Sequence, residues 1–334
     1  MKPYKMMFLM TMISGTLFSI TSFSWLGMWI GLEINLLAFI PLMYQKKNSV
    51  SSEATTKYFI VQALASIIFL MTIIIMILKM EISSKNIPQT LIMDSALLTK
   101  MGAAPFHFWF PEVMEGLSWM NCMLLSTWQK IAPMVLVMYN IHSSKLLSVV
   151  ILSSMLVSAF LSVNQNSLRK ILSYSSINHL GWMLSTALFM ETIWIIYFSI
   201  YSLINMSLMW DLNNLNATTA NSLFQQLNSN PKNKMSTIMN WLNLMGIPPF
   251  LGFFPKWLTI QLLIKNELFL MTTIMIISTL MLIFIYLRMS ISSMVLNSKE
   301  INWNYLNNSP NDLNLLKFIL LLSLFPSIIL FNWN

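Results

Sequence analysis

Charge is the scarcest ingredient of this 334-residue chain. Only 9% of its residues are Asp, Glu, Lys or Arg, against about 25% in an ordinary soluble domain. So little charge cannot clothe a water-facing surface, which excludes a soluble globular enzyme, a disordered chain and a nucleic-acid binder. Cysteine is nearly missing as well. A lone Cys122 closes no intrachain disulfide and supplies no Cys-ligated iron–sulfur cluster or Cys-x-x-Cys-His haem site. The histidines are three, His107, His142 and His179, too scattered to form a bis-histidine haem pair. No Gly-x-Gly-x-x-Gly and no Walker A sequence occurs. The chain is therefore expected to bind no redox cofactor, nucleotide or metal of its own.

What is abundant is apolar: 56% of the residues are hydrophobic and the mean hydropathy is +0.67. A bilayer-spanning helix needs about 20 mostly apolar residues. Eleven stretches meet that need, near 6–23, 25–43, 58–78, 89–111, 120–139, 145–163, 168–189, 192–211, 236–262, 267–288 and 315–332. The expected fold is all-α, a polytopic membrane protein of about eleven transmembrane helices. The polar stretches Asn213–Lys234 and 297–314 are expected as loops outside the hydrocarbon, where irregular backbone can be hydrated. The first apolar run is long for a signal-peptide core and leads straight into the second, so it reads as a retained helix. Alternating the loops places twelve Lys and Arg on one side and four on the other. That bias puts the N-terminus on the inner side and, with an odd helix count, the C-terminus on the outer side.

Three lysines have no loop to occupy. Lys100, Lys130 and Lys256 fall inside apolar stretches, as does Glu33. Each such charge costs about 2.5–3.5 kcal/mol at a helix centre, so together they oppose insertion by roughly 10 kcal/mol unless they pair or reach internal water. Intramembrane charges mark ion or proton pathways by default; structural pairing and snorkelling are the plainer readings. Four charges in four different stretches favour the pathway. Lysine suits proton work because burial favours its neutral form and a nearby carboxylate favours its charged form. Glu33 is a candidate for that carboxylate. Gly27 and Gly31 near it form a Gly-x-x-x-Gly pattern, which permits close approach of another helix.

Two stretches are interrupted by proline. Met101–Pro111 and Met245–Pro255 align at Met, Gly, Pro, Phe, Phe and Pro, six positions of eleven, in a chain with only 8 Gly and 12 Pro. Each has an intramembrane lysine beside it, Lys100 before the first and Lys256 after the second. Proline frees carbonyls that lipid cannot satisfy, so a hydrated interior is expected there. The two lie in helices four and nine. An odd separation reverses direction through the membrane, the mark of inverted repeats with broken helices. The expected halves are 1–140 (helices 1–5) and 141–296 (helices 6–10), with an extra C-terminal helix at 315–332. His179, among Ser175, Ser176 and Asn178, reads equally as relay or as hydrogen-bonded structure. His107, beside the first break, reads as a relay or water contact. His142 is expected in a solvated loop. The 30 Met residues read as core filler.

The stretches Trp29–Asn35, Lys100–Glu115, Thr127–Pro133, Ser175–Trp182 and Pro248–Trp257 resemble the antiporter-like subunits of mitochondrial respiratory complex I, in an insect-like form, and the resemblance runs nearly end to end. It implies the fold shared with multisubunit cation/proton antiporters, with three of the usual fourteen helices missing. It implies that Glu33 is the essential glutamate and Lys100 its pairing lysine on the first broken helix. Lys130 would be the central lysine and Lys256 the exit-side lysine, with His107 and His179 in the hydrated axis. The implied function is a core membrane-arm subunit of proton-translocating NADH:ubiquinone oxidoreductase. NADH, FMN, iron–sulfur clusters and ubiquinone would be bound by other subunits. The implied partners are NADH dehydrogenase subunits 4, 4L and 5 and inner-membrane lipids such as cardiolipin. The implied location is the mitochondrial inner membrane, N-terminus in the matrix and C-terminus in the intermembrane space. An Mrp-type cation/proton antiporter subunit and a non-pumping structural spacer stay open as alternatives.

Overall fold

The computed structural model describes residues 3–44, 49–79, 87–140, 144–229, 231–248 and 250–295. Every regular element among them is a helix, and the only pairing of strand type is an isolated bridge between Ser167 and Thr219. The chain divides into two compact units between Val157 and Ser158. The first holds α1 (Pro3–Thr21), α2 (Trp25–Met43), α3 (Ser49–Lys79), α4 (Ile87–Met101), α5 (Trp109–Gly116), α6 (Trp119–Ser126) and α7 (Trp128–Tyr139). The division falls within α8 (Ser144–Ser162). The second holds α9 (Leu168–Ala187), α10 (Glu191–Leu215), α11 (Ala220–Ser229), α12 (Pro231–Met245), α13 (Phe253–Lys265) and α14 (Phe269–Val295).

Six stretches among the described residues are long and apolar enough to cross a membrane: Trp25–Met43, Ser49–Leu78, Trp119–Tyr139, Lys145–Ser162, Glu191–Leu215 and Phe269–Met294. The expected final helix at 315–332, the polar stretch 297–314 and His142 lie outside the described residues.

Several expected boundaries shift for physical reasons. α3 begins at Ser49 rather than near residue 58. Its polar first turns carry a Glu53–Lys57 ion pair of 2.9 Å at i,i+4, and Lys57 also pairs with Glu112 of α5 at 2.9 Å. The fifth stretch is two helices that meet at Thr127, at φ −114°, ψ −72°, whose hydroxyl donates to Met123 O at 2.7 Å. Asn213–Lys234 is mostly helical, since α10 continues to Leu215 and α11 follows. Leu223 and Leu227 recur at i,i+4 on α11 and are both buried, a helical period that the Asn, Gln and Ser around them conceal.

Packing explains which glycines matter. A Cβ on Gly31 of α2 would press on the Ser19 backbone of α1 at 2.6 Å, and one on Gly15 of α1 would meet Asn35 N at 3.0 Å. The two helices thus touch backbone to backbone. Gly27 instead faces its own N-terminal turn at Ser22 and Ser24, so Gly31 alone of that pattern serves the helix contact. α9 is buried on nearly all sides. It can be buried despite its serines because Ser175, Ser176 and Ser185 donate to carbonyls three residues back, each at 2.7 Å, which spares them from needing water.

Candidate functional site

The first break lies between α4 and α5. α4 stops at Gly102, whose φ of +73° only glycine adopts without strain. Gly102 N donates to Thr99 O at 3.2 Å and Ala103 N to Leu98 O at 3.1 Å, the paired bonds of a Schellman stop. Three carbonyls around the break are met by neutral side chains. Gln62 Nε2 of α3 donates to Lys100 O at 3.1 Å, Trp109 Nε1 to Thr99 O at 3.0 Å and Ser153 Oγ of α8 to Ala104 O at 3.0 Å. His107 is buried in this break. Its Nδ1 lies 3.3 Å from Pro105 O, and its Nε2 is buried with no partner among the described residues.

Because neutral donors close the break, the ammonium of Lys100 is not spent on it. Lys100 and Lys130 are both buried, at 7% and 1% exposure, and together they line one cavity. Its polar walls are Asn35, Tyr58, Gln62 and Gln129, and its free space admits about one water. Gln129 Nε2 donates to Asn35 Oδ1 at 3.0 Å, which ties α7 to α2 beside the two lysines. Lys130 Nζ sits 5.5 Å from the centre of the Phe110 ring, a geometry in which the ring face attracts the cation. Glu33, on α2, is half-buried with Oε1 lacking a hydrogen-bond partner among the described residues. It lies within electrostatic reach of Lys100 and Tyr58, but no ion pair of 4.0 Å or less joins it to Lys100.

The second break lies between α12 and α13 and starts the same way. α12 stops at Gly246 with φ +70°, and Gly246 N donates to Asn243 O at 3.1 Å. Here the lysine itself closes the break: Lys256 Nζ donates to Met245 O at 2.7 Å. The contact is close on every side. A Cβ on Gly246 would meet Lys256 Nζ at 3.0 Å, and one on Gly252 would overlap Asn243 O. Nearby, His179 Nδ1 and the Tyr197 hydroxyl share a hydrogen bond of 2.9 Å, and the His179 ring lies 4.9 Å from that of Tyr201. These three residues line a second small cavity with Asn243 and Gly252.

Thus Lys100 and Lys130 share a cavity, Lys256 and His179 belong to the second unit, and Glu33 stands near the first cavity without entering its lining. Several residues of the site were not anticipated. Asn35, Tyr58, Gln62 and Gln129 are neutral and scattered, and only tertiary packing collects them. Two buried carboxylates had a readable signal, a charge within an apolar stretch. Asp94 accepts from Asn140 Nδ2 at 2.7 Å, and Asp211 from Asn240 Nδ2 at 2.9 Å. Among the described residues, no cluster of His, Cys, Asp or Glu could hold a metal ion.

A helical membrane unit with lysines buried around broken helices defines an antiporter-like protein. Residues 22–282 match the family described as NADH:quinone oxidoreductase/Mrp antiporter, transmembrane, and the chain belongs to that family. Within it, the chain is 47% identical to NADH-ubiquinone oxidoreductase chain 2 of Anopheles gambiae over 93% of this chain and 92% of that one. It is 44% identical to the chain of the same name from Locusta migratoria, covering 90% and 88%. Its fold resembles a chain of respiratory complex I from Thermus thermophilus at a TM-score of 0.83 and 20% identity, covering 98% of this chain and 79% of that one. It also resembles a chain of the Mrp complex from Dietzia at a TM-score of 0.76 and 18% identity, covering 84% and 59%.

Proposed function

We propose that this chain is a core membrane-arm subunit of proton-translocating NADH:ubiquinone oxidoreductase in the mitochondrial inner membrane. The carrying observation is the polar cavity in which Lys100 and Lys130 meet. Two lysines lining one polar chamber that admits a water give a proton two sites between which it can pass. The kinship to the insect chains named NADH-ubiquinone oxidoreductase chain 2 favours this assignment over a free-standing Mrp-type antiporter.

The residues then take these roles. Glu33, an anion within reach of Lys100, steadies the protonated lysine; its withdrawal disfavours the charged form and releases the proton. Lys130 receives and relays it within the shared cavity. In the second unit Lys256 serves the exit side, with His179 and the Tyr197 hydroxyl as its relay, and His107 contributes in the first break. NADH, FMN, iron–sulfur clusters and ubiquinone are held by other subunits, so electron transfer acts on this chain from outside. Eleven helices as two inverted five-helix repeats plus one, the N-terminus in the matrix, the C-terminus in the intermembrane space, and neighbours that include subunits 4, 4L and 5 and cardiolipin complete the reading.

The test is a native gel of gently solubilised inner membranes, stained for NADH dehydrogenase activity and peptide-mapped. The chain is expected in the large active band. Finding it only in a small inactive particle, with an intact active band elsewhere, overturns the assignment and favours the antiporter reading.

A further inference from the structure

The second unit holds a cavity that has no part in the roles above. Its volume is about 210 Å³, against about 20 Å³ for the lysine cavity. It lies where the end of α8, the starts of α9 and α11 and the last turns of α14 come together. Backbone bonds fix its rim. Leu168 N donates to Thr218 O at 3.0 Å and Ala220 N to Asn166 O at 3.3 Å, so the segments that enter α9 and α11 hold each other at the Ser167–Thr219 bridge.

The lining is amphipathic. Its polar part is Arg288 with the amides of Gln165, Asn166 and Asn221, and its apolar part includes Phe224 and Phe284. No Asp or Glu belongs to it. Among the described residues, no ion pair or hydrogen bond engages the Arg288 guanidinium. Arg288 is exposed and lies near the end of Phe269–Met294, a stretch long and apolar enough to cross a membrane. A snorkelling arginine needs only the interface; it needs no cavity. One turn before Arg288, the cavity opens onto an apolar stripe. Phe284, Leu280 and Ile277 are exposed and recur at helical spacing on the same face of α14 as Arg288. Ile277 lies about 16 Å along the helix from Arg288, close to half of a hydrocarbon core about 30 Å thick. Cation, amides, apolar wall and stripe thus follow one another in the order phosphate, glycerol and acyl chain.

We propose that this cavity is the binding site of an anionic phospholipid, whose phosphate is held by Arg288 and the amides of Gln165, Asn166 and Asn221, and whose acyl chain passes Phe224 and Phe284 onto the stripe of α14. A guanidinium suits a phosphate because its fork of N–H donors matches two phosphate oxygens. A lipid with no amine in its headgroup fits best, since the lining offers no carboxylate to receive one. The inference goes beyond the proposed function and stands whether or not Lys130 carries protons.

The test uses the assembled complex in inner-membrane vesicles. One sample receives a photoreactive phosphatidylglycerol, the other a photoreactive diacylglycerol with the same chains and no phosphate. Cross-links are mapped by peptide mass spectrometry at Phe224 and normalised to those at Phe59, which is exposed on α3. Phosphatidylglycerol is expected to label Phe224 in the unmodified complex well above diacylglycerol. Arg288→Gln is expected to cut that label about tenfold or more, the loss of one hydrogen bond to a charged group, and to leave Phe59 unchanged. Equal labelling of Phe224 by the two probes, or label untouched by Arg288→Gln, would show that no phosphate is recognised and that Arg288 only snorkels. No label at Phe224 from either probe would show that lipid does not enter the cavity. The comparison of the two probes needs no variant, so it decides the matter even if Arg288→Gln fails to assemble.

Discussion

The two broken helices begin alike and finish differently. Each first half-helix ends at a Met-Gly step, Met101-Gly102 or Met245-Gly246, with the glycine at φ +73° or +70°. Beyond that point the first break is closed by an amide, an indole and a hydroxyl from Gln62, Trp109 and Ser153. The second is closed in part by the ammonium of Lys256, which caps Met245 O. A cation is well placed in both, since the C-terminal end of a helix carries partial negative charge. What differs is its freedom. Lys100 keeps its ammonium for a cavity shared with Lys130, whereas Lys256 is held by a backbone carbonyl. The lesson is that one motif either leaves its lysine to line a cavity or engages it on a helix-end carbonyl, according to whether its neighbours supply neutral donors.

The comparison can be broken at three places, in falling order of effect, with Lys100→Met as the matched control for the second. Gly252→Ala is the harshest, because its Cβ would overlap Asn243 O, backbone that cannot swing aside. Overpacking there is expected to cost upwards of about 3 kcal/mol, read as loss of assembled complex on a native gel. Lys256→Met comes next. It leaves Met245 O without the donor seen here, a penalty of about 1–3 kcal/mol, read as a lower unfolding temperature of the assembled complex. Lys100→Met is the matched change and is expected to leave that temperature unchanged or raised, since removing a buried cation relieves a burial cost. Equal destabilisation by the two lysine changes would show that Lys100 is as structural as Lys256. The mildest is Gln62→Leu, which removes the amide on Lys100 O. It is expected to cost about 1 kcal/mol, the scale of one interhelical hydrogen bond in a membrane, with turnover little changed.

How much of this could be read from the sequence depends on how loudly each residue speaks. Lys100, Lys130, Lys256 and Glu33 stand out because a chain with 9% charged residues exposes every charge in an apolar run. The two Met-Gly-to-Pro segments stand out because glycine and proline are scarce. The partners of those charges were not legible. Gln62 is 38 residues from Lys100 and Asn35 is 94 from Gln129, and only packing brings them together. Asp94 was legible by the same charge rule as Lys100, being a short acid inside a stretch otherwise marked by its lysine and prolines. The interruption at Thr127 depended on local backbone competition, which composition does not report, and the helix at Ala220–Ser229 on a two-leucine period masked by polar neighbours.

The central claim is that the Lys100–Lys130 cavity carries protons. Its most direct test is the number of protons translocated per NADH oxidised, together with turnover, in vesicles whose complex carries Lys130→Met and is present at parental abundance. The account predicts that pumping is impaired while the flavin-site activity with an artificial electron acceptor is retained. Unchanged stoichiometry and unchanged turnover would contradict it, and Lys130 would then be a buried structural cation held against Phe110.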